Sequence, residues 1–200
     1  MNAKFFDLKQ EKQDRIINAA LKIFALNGYG HASTDDIVRE ARISKGLLFH
    51  YFDSKIGVYS FIHDYSVKLI SLELSSAIDP DETSYFALLK QIEAAKMQVL
   101  KSHPYMCVFL KSCEKETVTE ALLSIEESKK TYRDNLGTVL SRADQEFTKK
   151  NANASKLLKM LDYTLEGIME SALFEGSFTA EGNFNEAVRY ISLTEQHVNM

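Results

Sequence analysis

The sequence predicts an all-α fold, with a three-helix N-terminal domain followed by a larger helical bundle. Three observations predict it. Apolar residues recur at three- and four-residue steps through every long segment, and no window sustains strand alternation. Only 2 prolines and 8 glycines interrupt 200 residues rich in Leu, Lys, Glu, Ala and Ser, a composition of good helix formers. The few breakers stand where helices of ordinary length should end, at Asn27-Gly28, Asp79-Pro80, His103-Pro104 and Gly176.

The elements follow in order. Ile16, Ala20, Ile23, Phe24 and Asn27 place a first helix over about Lys9–Leu26, stopped by Gly28, which readily takes a left-handed conformation. A short second helix opens at Ser33/Thr34, where Ser33-x-x-Asp36 resembles a capping box with Asp in place of Glu. A third opens at Ser44, and a fourth opens at Asp53/Ser54 and runs to about Ala77. Longer helices are expected over Ser84–Lys101, Pro104–Lys115, Val118–Thr148, Ser155–Glu175 and Asn185–Asn199, with Gly176 to Gly182 as the last break. The division into residues 1–55 and 56–200 falls at the fourth helix, so the two parts share an element instead of a flexible linker.

Composition and charge narrow the function classes. The net charge of −4 argues against a basic nucleic-acid coat protein, but it is unevenly spread. Residues 1–60 hold nine Lys/Arg and seven Asp/Glu, whereas the remainder holds fifteen against twenty-one. A slightly basic segment on an acidic body suits a small DNA-contacting module carried by something larger. Cys107 and Cys113 are too few for a disulfide framework and lack metal-ligand spacing. Six residues apart on one helix, they face different ways and read as buried, inert thiols. No Gly-rich phosphate loop, nucleophile elbow or paired-histidine motif is present, and His31, His50, His63, His103 and His197 are scattered. Catalytic residues, metal ligands and a cofactor are therefore not expected. Charges from Lys4 to Lys12 interrupt any signal-peptide run, and no stretch approaches the roughly 18–20 apolar residues of a membrane span. The cytoplasm is the expected compartment.

The informative stretch runs from Ser33 to Lys55. Ile37 and Ala41 share one helical face, and Ala41 is small where a second helix must cross closely. Ile43 in the turn can plug the shared core, and Ser44 can cap the next helix. Leu48, Tyr51 and Phe52 then point inward, leaving Lys45, Leu47, Phe49 and His50 outward. Two short helices joined by a three-residue turn match the helix-turn-helix plan, whose second helix enters the major groove. Exposed Leu47 and Phe49 suit contact with sugars or thymine methyls. Lys45 and Lys55 each sit in a first helical turn, where the macrodipole disfavours a cation by about 0.3–1 kcal/mol. As a pair of helix N-termini armed with lysines they read as phosphate clamps; each alone would read as a solvated surface lysine.

This stretch resembles the DNA-binding domain of TetR-type transcriptional regulators. Thr34, Ala41, Ser44, Gly46, Leu48, Tyr51, Phe52 and Lys55 stand at positions matching that family's pattern, and Phe24, Gly28 and Tyr29 look like the end of its first helix. The resemblance implies an operator-binding face of Thr34, Arg42, Ser44, Lys45, Leu47, Phe49, His50, Tyr51 and Lys55 on double-stranded DNA. Arg42 replaces the usual turn glycine; if the backbone there needs positive φ, the exchange costs about 1 kcal/mol. Its guanidinium can reach a phosphate or simply stand at the surface. Phe49 replaces the usual tyrosine and deletes a hydroxyl that commonly bonds a phosphate, which shifts weight to His50, Tyr51 and Lys55. Gly57 reads as a tolerated surface glycine, with easier bending between domains as the alternative.

The resemblance further implies a body that dimerises and binds a small effector, and a homodimeric repressor released from its operator by that effector. The residues lend partial support. The Ser155–Glu175 helix is apolar on more than one face, so it must bury one side in its own core and another elsewhere. The expected dimer interface comprises Leu158, Leu161, Leu165, Ile168, Val188 and Ile191, with simple burial in the chain's own core as the alternative for them. Phe86, Met106, Phe109, Cys113 and Tyr132 are candidates for a pocket taking an apolar or aromatic effector; plain core is the alternative for them. The competing function is a helical dimeric interaction protein whose motif no longer binds specific DNA.

Overall fold

The computed structural model describes residues 3–143 and 153–198. Among them are nine α-helices and a short 3-10 segment, Ala3–Asp7. The helices are α1 (Gln10–His31), α2 (Thr34–Ala41), α3 (Lys45–Phe52), α4 (Lys55–Ala77), α5 (Tyr85–Ser102), α6 (Met106–Glu114), α7 (Thr119–Ser141), α8 (Ala154–Glu175) and α9 (Ala180–Val198). The all-α expectation holds. The expected run of α7 to Thr148 and the end of α9 at Asn199 lie outside the described residues.

The chain forms two compact units. The first comprises Met1–Leu69 with Ser102–Tyr132, and the second comprises Ile70–Lys101 with Arg133–Met200. The core of the first unit is aromatic. Phe24, Tyr29, Tyr59 and Phe109 meet with ring centroids 5.0–6.3 Å apart, mostly edge to face, the geometry that ring quadrupoles favour. Ile16, Ile17, Ala20 and Leu21 of α1 are buried as well. Of the residues whose spacing predicts this helix, Ile16, Ala20 and Phe24 are buried, Ile23 is half-buried and Asn27 is exposed. In the second unit Phe86, Ala154, Leu161, Ile191 and Val198 form one buried cluster.

Helix ends obey local chemistry, with three departures from expectation. Gly28 breaks α1 at φ 65°, ψ 174°, a conformation nearly confined to glycine, yet one further turn follows to His31. That kink leaves the Tyr29 N–H outside the helical ladder, and the Glu116 carboxylate accepts it at 2.9 Å. Glu116 also accepts from Thr117 and Val118 N–H at the start of α7 (2.8 and 2.9 Å). These backbone donors hold its carboxyl below the usual range although burial pushes the other way. The last helix begins at Ala180, five residues before the expected Asn185, because Thr179 caps it: its Oγ1 accepts the Gly182 N–H at 3.0 Å. Gly182 is thus a first-turn residue and not a breaker. Third, the 3-10 segment was not expected at all.

Candidate nucleic-acid interface

The helix-turn-helix is built as its caps dictate. Ser33 caps α2 by accepting the Asp35 N–H at 3.1 Å. The reciprocal half of the box is missing, since the short Asp36 carboxylate pairs with Arg39 one turn on. At the other end Arg42 sits at φ 54°, ψ 51°, with its N–H on the Arg39 carbonyl and the Ile43 N–H on the Val38 carbonyl. This is the Schellman arrangement, completed by an arginine where glycine is the usual occupant. Ser44 then caps α3 by accepting the Leu47 N–H at 3.2 Å. Ile37, Ala41 and Leu48 are fully buried between the two helices.

The faces of α3 divide as the spacing predicts except at Leu47 and Phe49, which are expected to be exposed. Leu48, Tyr51 and Phe52 are inward; Lys45 and His50 are exposed, and Leu47 and Phe49 are half-buried. Tyr51, expected both inward and on the operator, is only 7% exposed and stacks edge-on against His50. Thr34 opens α2 half-buried, and Arg42 and Ser44 are exposed at the turn.

Both lysines read as phosphate clamps already have partners. Lys45 Nζ lies 2.9 Å from the Asp35 carboxylate, joining the first turns of α2 and α3. Lys55 Nζ sits 4.4 Å from the centre of the Tyr29 ring and donates to the Gly30 carbonyl at the long distance of 3.5 Å. Burial lowers its pKa, against the pull of Glu116 and Glu120. Lys55 therefore ties the start of α4 to the end of α1.

The α3–α4 junction corrects the reading of Gly57. A Cβ there would lie 1.9 Å from the Phe52 carbonyl oxygen and 3.1 Å from its carbon. This glycine is required by the close approach of α4 to the last residue of α3.

Three residues that matter here escaped the sequence reading. Asp35, the partner of Lys45, looked like an ordinary helix-start acid. Glu116 meets Tyr29 across 87 residues of chain. Phe5 is fully buried against Tyr51, Phe52 and Phe61; its signal was an apolar Phe5-Phe6 pair inside a charged N-terminal stretch.

The candidate pocket residues are distributed over both units. Met106, Phe109 and Cys113 are buried in the first unit, where the Tyr59 hydroxyl donates to Cys113 Sγ at 3.2 Å, and Tyr132 lies at that unit's end. Phe86 belongs to the core of the second unit. Of the candidate interface residues, Leu161 and Ile191 are buried in that same core, and Leu158 and Leu165 pack against it. Ile168 and Val188 are half-buried. Met160, Tyr163, Phe174, Tyr190 and Leu193 are the exposed large apolar residues of α8 and α9 among the described residues, Phe174 being 95% exposed.

Residues 16–59, which contain the whole helix-turn-helix, match the family model of bacterial regulatory proteins of the tetR family. The chain has the TetR-like all-α fold with an N-terminal helix-turn-helix domain. Two curated regulators are similar over part of their length. The uncharacterized HTH-type transcriptional regulator YuxN of Bacillus subtilis is 31% identical over 106 residues, covering 51% of this chain and 35% of that protein. The biofilm operon icaADBC HTH-type negative transcriptional regulator IcaR of Staphylococcus aureus is 38% identical over 47 residues, covering 24% of this chain and 25% of that protein. The chain thus spans about a third or less of the length of these two relatives. Among solved structures, the fatty acid degradation regulator FadR from Bacillus halodurans aligns over 96% of this chain and 95% of its own, at TM-score 0.54 and 17% identity. A TetR-like transcriptional regulator from Rhodococcus aligns over 92% and 96%, at TM-score 0.54 and 16% identity. These two show that the tetR-family fold extends over nearly the whole chain. No described helix is long and apolar enough to cross a membrane.

Proposed function

We propose that this chain is a sequence-specific DNA-binding transcriptional regulator of the tetR family, a homodimeric repressor released from its operator by a small-molecule effector, acting in the cytoplasm. One observation carries the reading: α2 and α3 are capped and crossed as a helix-turn-helix, with Lys45 and His50 of α3 exposed and Leu47 and Phe49 half-buried beside them. Residues 1–55 supply the DNA-binding function and 56–200 the effector-binding and dimerisation functions. Thr34, Arg42 and Ser44 flank the operator face of α3. Tyr51 acts from beneath it, and Lys55 steadies the start of α4. Repression accords with the negative regulator named among the relatives.

A second copy docks on the exposed apolar residues of α8 and α9, with Met160, Tyr163, Phe174, Tyr190 and Leu193 supplying the contact surface. Two α3 helices related by a two-fold axis then meet half-sites about 34–36 Å apart. An apolar or aromatic effector that binds better to a dimer with the wrong spacing lowers operator affinity through linkage.

Selection from a random duplex pool, followed by affinity against salt, tests the reading. An enriched palindrome with two half-sites is the expected result. Weak, salt-sensitive binding without enrichment, unchanged after unfolding and refolding free of ligand, would leave the chain an interaction protein and refute the proposal. A monomer by sedimentation at micromolar concentration would refute the dimer.

A further inference from the structure

We infer that the N-terminal 3-10 segment is a positioning device for the recognition helix, with Phe5 as the residue that sets how α3 presents its outward face; this rests on the DNA-binding reading above. An eight-residue helix has little stability of its own, so packing decides its orientation. On one side α3 is held by α2 through Ile37, Ala41 and Leu48. Its C-terminal turn is held differently. Phe5 places its ring centroid 5.7 Å from Tyr51, 5.1 Å from Phe52 and 5.3 Å from Phe61, the first two on α3 and the third on α4. Phe52 and Phe61 themselves meet at 5.1 Å. One ring from outside the helix-turn-helix therefore wedges the end of α3 against α4.

The wedge is itself anchored. Gln13, buried in the first turns of α1, donates its amide to the Phe6 and Leu8 carbonyls at 3.2 and 2.8 Å. The Leu8 N–H closes the segment on the Phe5 carbonyl at 3.2 Å. The segment is thus tied to α1, and its ring reaches under α3. Tyr51 is adjacent to His50, an exposed residue of the operator face, and their ring centroids lie 5.1 Å apart. A shift of the Phe5 wedge is passed directly to that face. Contacts to base edges read sequence and depend on how that face is presented, whereas phosphate contacts carry no sequence information and act alike on any duplex.

The test uses the full chain, the duplex enriched by selection and a scrambled duplex of equal length. Anisotropy is read at one salt concentration and at a temperature where circular dichroism shows every variant folded. Phe5→Ala is expected to weaken binding to the enriched duplex about tenfold and to leave the scrambled duplex within about twofold. Phe5→Leu should recover most of the loss. If Phe5→Ala fails to fold, Gln13→Ala takes its place: it frees the segment without emptying the ring cluster, and a selective loss of about threefold is expected. Equal losses on both duplexes, or no loss with any folded variant, would overturn the inference while leaving the DNA-binding reading intact. A wild-type chain that selects no duplex would overturn both.

Discussion

Gly57→Ala separates two physical arguments that disagree in sign. Gly57 lies in the first turn of α4, and on helix propensity alone alanine should stabilise the chain by about 0.8–1 kcal/mol. The tertiary structure says otherwise. A Cβ would stand 1.9 Å from the Phe52 carbonyl oxygen, against a practical lower limit near 3.0 Å, so the α3–α4 junction must open by about 1 Å. The obstacle is backbone, and it is already engaged, since Ser54 donates to that oxygen at 2.7 Å. Overpacking of this kind costs about 1–3 kcal/mol or more, which offsets or exceeds the propensity gain. We expect a net loss of about 1–2 kcal/mol, read in urea as a midpoint lowered by about 0.5–1 M for a slope near 2 kcal/mol per M. Gly137→Ala is the control: it lies within α7 with nothing within 4 Å of its Cβ, and should raise the midpoint. If Gly57→Ala leaves the midpoint unchanged or higher, the steric argument is wrong and the original surface-glycine reading stands.

Three further expectations follow from the same geometry. Arg42→Gly relieves the left-handed conformation of a non-glycine residue and should stabilise the chain by about 0.5–1 kcal/mol in the same assay, part of the relief being lost to unfolded-chain entropy. Asp35→Asn frees Lys45 and removes an acid from the first turn of α2; DNA affinity at about 50 mM salt should rise by about three- to tenfold, and unchanged affinity would remove Lys45 from the interface. His63 is buried against Ser128 with Nδ1···Oγ at 2.7 Å, and burial lowers its pKa to about 4. The unfolded chain takes up this proton near pH 6.5 and the folded chain does not, so stability is full above about pH 6.5 and falls as pH drops towards 4, by an order of about 3 kcal/mol. Urea midpoints between pH 7 and 4 should show this slope, and a folded His63→Gln variant should have a shallower one.

What the sequence determined by itself lies within a few residues of the chain. The caps at Ser33 and Ser44, the break at Gly28, the inward set Leu48, Tyr51 and Phe52, and most helix spans were all legible, because capping and helical period are settled between neighbours three or four positions apart. The same locality explains the early start of α9. Thr179 and Gly182 carry a local cap, because a glycine in a first helical turn is tolerated and does not break the helix. What only the tertiary structure decided concerns partners that meet at a distance. Asp35 claims Lys45, Tyr29 and Gly30 hold Lys55, Glu116 reaches the Tyr29 N–H, and Phe5 slides beneath α3. Gly57 looked optional until the angle between α3 and α4 brought the Phe52 carbonyl onto it. On α8 and α9 a broad apolar arc could not say which side faces inward. Packing put Leu161 and Ile191 in the core and left Met160 and Tyr163 outside. A one-dimensional pattern records how apolar a face is, but only close packing of two helices fixes which of those residues are enclosed.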